Sequence, residues 1–302
     1  MSVTPRQRGG LPGDTELRHA CAVFSLDPTE ARLLHHRSNA VYLLPREHVV
    51  VRLAPATPLR HERAVTAIAV TRWLAADSAP IALAPMPGDQ PVVVADAIVT
   101  FWPWRPTTPP PGPADLAAPL RHLHHLPPPP FDVPRYQPLR RLREALSLDS
   151  NRPVPMLTDD DHAWLHEQIS HALDAFTTTD FPLGTGLVHA DAHSENLVRD
   201  GEDWVLIDWD QACIGPRELD LVASLPDHFH TPEAERTAFR NAYGHDPTQW
   251  SEWRILRDIT ELHSLGSYIR LAPDKPAAAQ ELNIRLRSLR SGDRSIRWTA
   301  VS

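Results

Sequence analysis

The segment that most constrains this chain is a polar loop set between two apolar runs. Residues 183–188 lead into His189-Ala-Asp191-Ala-His193-Ser-Glu-Asn196, and residues 204–207 then deliver Asp208 and, two positions on, Asp210. Short apolar runs bounded by polar punctuation read as strands. A buried strand ending on Val205-Leu-Ile207 would present the Asp208 carboxylate at a fixed place.

The rest of the chain supplies the frame. Its 302 residues, 42% of them hydrophobic, suffice for one large domain or two lobes with cores of their own. Residues 14–26 place Leu17, Ala20, Cys21 and Phe24 at helical spacing. Strands are expected at 31–34, 41–44 and 49–53, then a helix at 59–76 with Ala64, Ile68 and Trp73 among its apolar positions, then strands at 80–83 and 96–102. Residues 103–113 are proline-dense and read as a connector, because proline fixes φ and lacks an N–H. A short helix at 115–126 precedes a polyproline spacer at 127–130. Beyond it Thr158 with Asp161 reads as a helix cap, followed by the stripe Leu165, Ile169, Leu173, Phe176. Further helices are expected at 232–243, 249–271 and 277–290. The layout is α+β, with a β-rich lobe at 1–102, a hinge near 101–106 and a mainly helical lobe at 103–302.

Composition excludes several function classes. A net charge of -8 and a pI near 6.1 leave no basic surface for sequence-independent nucleic-acid binding. The arginine run Arg285, Arg287, Arg290, Arg294, Arg297 reads as a solvated helix face plus tail. Two cysteines, Cys21 and Cys213, give neither a disulfide framework nor zinc-ligand spacing. Residues 1–16 are polar and lack the apolar core of a signal peptide. No apolar run reaches the roughly 18 residues that span a bilayer, so a cytoplasmic protein without membrane partners is expected. Lys275 is the one lysine, which restricts what can do a lysine's work.

Transfer of a phosphoryl group from a nucleotide needs an acceptor hydroxyl held in line and metal ions to neutralise the phosphates. An aspartate can orient that hydroxyl and take its proton. An asparagine amide oxygen and a second carboxylate suit Mg²⁺, a hard cation. Asp191, Asn196 and Asp208 form such a set. A rival reading takes His189, Asp191 and His193, which alternate along an extended segment, as zinc or iron ligands of a hydrolase. That reading leaves Asn196 and Asp208 unexplained.

The pattern His-x-Asp-x-His-x-x-Asn followed by Ile-Asp-Trp-Asp resembles the aminoglycoside phosphotransferase and choline kinase-like family, relatives of the protein kinases. Residues 187–221 carry most of the match, including Gly215-Pro216 and Leu219-Asp220-Leu221. The resemblance implies a bilobal protein-kinase-like fold. It also implies a small-molecule kinase that moves the γ-phosphoryl group of ATP, or less readily GTP, to a hydroxyl of a metabolite or of an antibiotic such as an aminoglycoside. Asp191 would be the catalytic carboxylate, Asn196 and Asp208 the Mg²⁺ ligands, and His189 and Asp220 braces of the loop. The roles of His193 and Asp210 stay open.

Kinases pair a basic residue on the third small-lobe strand with a glutamate on the next helix. With no lysine there, the resemblance places Arg52 and Glu62 in that pair, and a guanidinium can serve a phosphate and a carboxylate by different edges. Gly-x-Gly-x-x-Gly is missing. The corresponding turn is His35-His-Arg-Ser-Asn39, with Ser38 and Asn39 as the implied phosphate contacts. A turn unable to hold nucleotide would leave a non-catalytic pseudokinase. Phe101-Trp-Pro-Trp104 would be the purine-reading hinge. The acids Asp227, Glu233, Glu235, Asp246, Glu252, Asp258 and Glu261 read as helix-surface charges or as the lining of a pocket for a cationic acceptor. Acceptor identity and oligomeric state are not encoded in these motifs.

Overall fold

The run Val49-Val-Val-Arg-Leu53 is the most strand-like of the early segments. In the computed structural model, which describes residues 12–36, 39–77 and 80–301, β1 (Arg32–His36), β2 (Ala40–Leu44), β3 (Val49–Pro55), β4 (Val92–Val94) and β5 (Ala97–Pro103) form one antiparallel sheet. Its order is β1-β2-β3-β5-β4. Val49, Val51 and Leu53 of β3 are buried while Val50 and Arg52 are only partly so, the period-two signature of a sheet with unlike faces. α1 (Asp14–Val23) packs Leu17, Ala20 and Cys21 on the Val51 face, and Phe24 stacks on Phe101 with ring centroids 4.3 Å apart. Arg52 therefore projects from the other face, opposite Val41 and Thr100 in register. α2 (Pro58–Ala75) follows, started by Pro58 at its first turn and by the Thr57 hydroxyl, which accepts the Arg60 N–H.

Residues 80–83, expected as a strand, form only an isolated bridge from Ala82 to Leu206, with the Leu206 N–H donating to the Ile81 carbonyl at 2.7 Å. Further along, β6 (Thr185–Val188) and β9 (Cys213–Pro216) pair antiparallel, and between them in sequence β7 (Leu197–Asp200) and β8 (Asp203–Leu206) form a separate ribbon. The chain divides into two compact units, both discontinuous. One comprises the described residues up to Pro111 with Pro129–Val133 and Ser194–Ala212. The other comprises Gly112–Pro128, Pro134–His193 and the described residues from Cys213 on. The first unit is thus the five-stranded sheet, α1, α2 and the β7–β8 ribbon, whose Val198 and Val205 pack with Leu83.

The second unit is mainly helical: α3 (Pro113–His125), α4 (Arg140–Ser150), α5 (Asp159–Thr178), α6 (Glu233–Tyr243), α7 (Arg254–Leu271) and α8 (Pro276–Ser291), with β6 and β9. α4, α5, α7 and α8 share one core through Leu142, Leu146, Leu165, Ile169, Ile259, Leu265 and Leu282. Thr158 and Asp161 form the expected capping box of α5. α7 starts at Arg254 instead of 249, because a 3₁₀ turn at Pro247–Gln249 and the turn that follows it intervene. No helix among the described residues is long and apolar enough to cross a membrane.

Arg287, Arg290 and Arg297 of the arginine run are exposed, as a solvated face and tail require, but Arg285 departs from that reading. Arg285 is 2% exposed, held between the rings of Tyr268 and Trp298 at 3.9 and 4.5 Å, and it donates to Glu281 at 2.9 Å. Glu281 one turn earlier and flanking aromatic faces make burial of a guanidinium tolerable. Arg290 pairs with Asp160 and Asp161, and Arg294 with Glu261.

Asp149 at the end of α4 organises the turn into α5. Its fully buried carboxylate accepts the N–H groups of Met156 and Leu157 at 3.0 and 3.1 Å, Arg152 at 2.7 Å and His162 Nε2 at 3.2 Å. Burial pushes its pKa up, but these donors outweigh burial and hold it below the ordinary value. A depressed folded pKa stabilises the fold above the unfolded value, about 3.9, and that stabilisation is lost as pH falls through the folded value. Asp149→Ala is therefore expected to lower stability at neutral pH by about 3–5 kcal/mol. In urea titrations the wild-type advantage should shrink below about pH 4; an equal deficit at all pH values contradicts the assignment.

Candidate active site

In the first unit the β7–β8 ladder pairs Leu197 with Leu206, and the Ile207 N–H donates to the Asn196 carbonyl at 2.9 Å. That extra rung brings Asn196 and Asp208 to the same end of the ribbon. Asn196 is 7% exposed, and Asp208 is accessible with φ 64° and ψ 53°, a left-handed conformation that a non-glycine residue adopts at a cost of about 1–3 kcal/mol. Trp209 pays this back in part: it is buried, and its Nε1 donates to the Leu206 carbonyl at 2.9 Å. Asp208 and Asp210 thus flank a pinned side chain.

Both acids meet Arg52. Its Nη1 lies 2.6 Å from Asp210 Oδ1 and its Nη2 3.1 Å from Asp208 Oδ1. The expected partner Glu62 is exposed on α2, and the ion pairs of Arg52 run to the turn after β8 instead. Among the implied phosphate contacts, Ser38 lies outside the described residues. Asn39 is buried, and its Oδ1 accepts Arg60 Nη1 at 2.6 Å. Phe101 belongs to the sheet core, and Trp102 Nε1 donates to Thr100 at 2.9 Å.

In the second unit β6 ends on buried Val188, and a fully buried His189 follows it. The next residue, Ala190, turns the chain with φ 60°, and Asp191 emerges exposed, as does His193. Asp220 holds this turn: its Oδ2 accepts the His189 N–H at 2.8 Å and its Oδ1 the Ala190 N–H at 2.7 Å. His124 of α3 places Nε2 3.1 Å from the same carboxylate and Nδ1 2.7 Å from the Tyr243 hydroxyl. A carboxylate only accepts, so Nε2 is the donor. In the neutral ring Nδ1 then accepts from Tyr243, whose own pKa is pushed up to about 12 by burial and, secondarily, by the Asp220 charge. Gly215 is closely packed: a Cβ there would lie 3.0 Å from the Tyr136 side chain and 3.1 Å from Leu219, which would have to shift by a few tenths of an ångström to admit it.

Sequence reasoning missed His124 and Tyr243. A signal existed, since Leu116, Leu120, Leu123 and His124 fall on one helical stripe, all buried. The hydrolase set does not assemble: among the described residues no three His, Cys, Asp or Glu side chains gather as a metal site. The oxygen donors of Asn196 and Asp208, joined at one ribbon end, instead suit a hard divalent cation with remaining positions filled by water or phosphate.

The family model of the phosphotransferase enzyme family matches residues 30–258, well over half of the chain. The chain belongs to this family. It is a small-molecule phosphotransferase with an alcohol group as acceptor. Among solved structures, a choline/ethanolamine kinase family protein from Mesorhizobium loti is 17% identical, with 91% of this chain and 94% of that one covered and a TM-score of 0.62. An amicoumacin kinase in complex with AMP-PNP, Ca²⁺ and Ami is 11% identical, covering 90% and 91%, with a TM-score of 0.65. A spectinomycin phosphotransferase in complex with ADP and its antibiotic is 15% identical, covering 86% and 88%, with a TM-score of 0.56. At these identities the likeness establishes the kinase-like α+β fold. No curated protein matches the sequence.

Proposed function

We propose that this phosphotransferase takes the γ-phosphoryl group from ATP and places it on a hydroxyl of a small metabolite or antibiotic. The observation that carries the reading is the ribbon end, where Asn196 and Asp208 stand together beside the Arg52 guanidinium. Arg52 would donate to phosphate oxygens, and Asn196 and Asp208 would hold Mg²⁺. When bound, that ion neutralises charge on the transferred phosphate. Asp191 would orient the acceptor hydroxyl and take its proton as the new O–P bond forms and the bond to the β-phosphate bridging oxygen breaks, releasing ADP. Neighbours solved with ADP or AMP-PNP support an adenine nucleotide as donor, while one solved with GDP keeps GTP as the second donor to test.

The acids of the helical unit bear on whether the acceptor is drawn in by charge. Glu233 pairs with Arg236 and Arg240, which hold its carboxyl down at about 2; Asp246 caps Thr248. Asp258 pairs with Arg257, Glu261 with Arg294, and Asp227 accepts from Thr231. Five of the seven acids that could have drawn a cationic acceptor therefore already have internal partners. The test is a thermal-shift titration with Mg·ATP and Mg·GTP, then a screen of hydroxylated metabolites and antibiotics for nucleotide consumption. Ligand at 100 times its Kd should stabilise by about 2.7 kcal/mol. No shift with either nucleotide, together with no consumption, sinks the proposal.

A further inference from the structure

We infer that Asp210 is the positioning residue for Arg52, doing the work that the resemblance assigned to a glutamate on α2. The inference rests on the kinase reading above and deepens its phosphate-binding side. An arginine side chain loses rotamer freedom when fixed, so a guanidinium that must meet phosphates needs an anchor. The Asp210 contact, at 2.6 Å, is shorter than the 3.1 Å contact to Asp208, and the Arg52 and Asp210 side chains are 18% and 27% exposed. Partial burial strengthens the pair relative to a surface one. Glu62 is exposed on α2.

The placement of Asp210 has a consequence for Asp208. The two acids sit on one turn, separated by Trp209, whose buried ring and 2.9 Å bond to the Leu206 carbonyl fix both. Each terminal nitrogen of Arg52 takes a different carboxylate. With Asp210 present, most of the guanidinium's charge is answered there, and Asp208 keeps capacity for a cation. Without it, Arg52 has Asp208 as its acid on this turn and competes with the cation for that carboxylate. Asp210 thus takes the shorter of the two contacts of Arg52, two residues along the turn from the proposed metal ligand Asp208.

The test compares Asp210→Asn, Asp210→Glu, Glu62→Gln and Arg52→Ala by calorimetric titration with Mg·ATP, by Mg²⁺ dependence at fixed ATP, and by KM against kcat. Asp210→Asn should weaken Mg·ATP binding about 5–30-fold, the loss of one charge-assisted hydrogen bond, and raise the Mg²⁺ needed for half-saturation. It should raise KM more than it lowers kcat. Asp210→Glu should recover most of the loss, and adding Asp210→Asn to Arg52→Ala should add nothing. Equal binding by wild type and Asp210→Asn overturns the inference alone. So does a loss with Glu62→Gln as large as with Asp210→Asn, or additive losses in the double variant. Wild type that binds neither Mg·ATP nor Mg·GTP overturns the kinase reading, and the inference with it. Should Asp210→Asn not fold, Asp210→Glu and the Arg52→Ala background carry the same comparison.

Discussion

Asp191→Asn is expected to lower kcat by about 10²–10⁴-fold and to leave the Kd for Mg·ATP within about twofold. Asp191 is exposed at the tip of a turn whose backbone is fixed by Asp220. An asparagine there keeps the shape and the turn but cannot receive the acceptor's proton. The groups proposed to hold the nucleotide, Arg52, Asn196 and Asp208, lie on β3 and at the end of the β7–β8 ribbon, and the substitution leaves those side chains unchanged. Stopped-flow nucleotide consumption and calorimetry separate the two effects. A variant that turns over at the wild-type rate means that Asp191 does not take the proton. A variant that loses nucleotide binding as well means that its carboxylate serves the nucleotide.

What the sequence made legible was local. β3 follows from a period-two pattern, β2 and β5 from short apolar runs, and α2 and the Thr158 cap from helical spacing and cap chemistry within a few residues of one another. α4 escaped because Arg140–Ser150 is mostly polar, its buried side being only Leu142, Ala145, Leu146 and Asp149. β9 escaped because Cys213-Ile-Gly-Pro contains two residues that argue against a strand, and only its register with β6 makes it one. The reverse error at 80–83 has the same origin, since an apolar run becomes a strand only where a partner offers more than one rung.

The site divides along the same line. Asp191, Asn196 and Asp208 are close in sequence, so spacing alone nominates them. The partner of Arg52 is 158 positions away, and nothing in a linear pattern pairs them. A guanidinium on a strand declares a need for an acid without saying which. His124 and Arg285 teach the opposite lesson. Polar residues on a buried helical stripe must find partners, because an unpaired buried polar group costs about 1–3 kcal/mol. Such positions are therefore visible in a sequence even when their partners are not.

Asp220 is where that rule has its largest consequence. Asp220→Ala is expected to destabilise the protein by about 3–5 kcal/mol and to lower kcat in the molecules that stay folded. The carboxylate is 0% exposed and accepts two backbone N–H groups at 2.8 and 2.7 Å, with His124 as a third donor. Removing it strands the His189 and Ala190 N–H groups and leaves His124 with only Tyr243. It also releases Ala190, whose φ of 60° persists only while its surroundings impose it. Relaxation of that one torsion swings the following residue, which is Asp191. Asp220→Asn separates the two effects. Its amide oxygen can accept one backbone N–H, but its NH₂ must confront the other, so stability should fall less than in the alanine variant while kcat still drops. Urea unfolding and kcat at a temperature where circular dichroism shows a native population above about 99% provide the readings. Full stability and full kcat in Asp220→Asn would show that the turn at Ala190 holds itself.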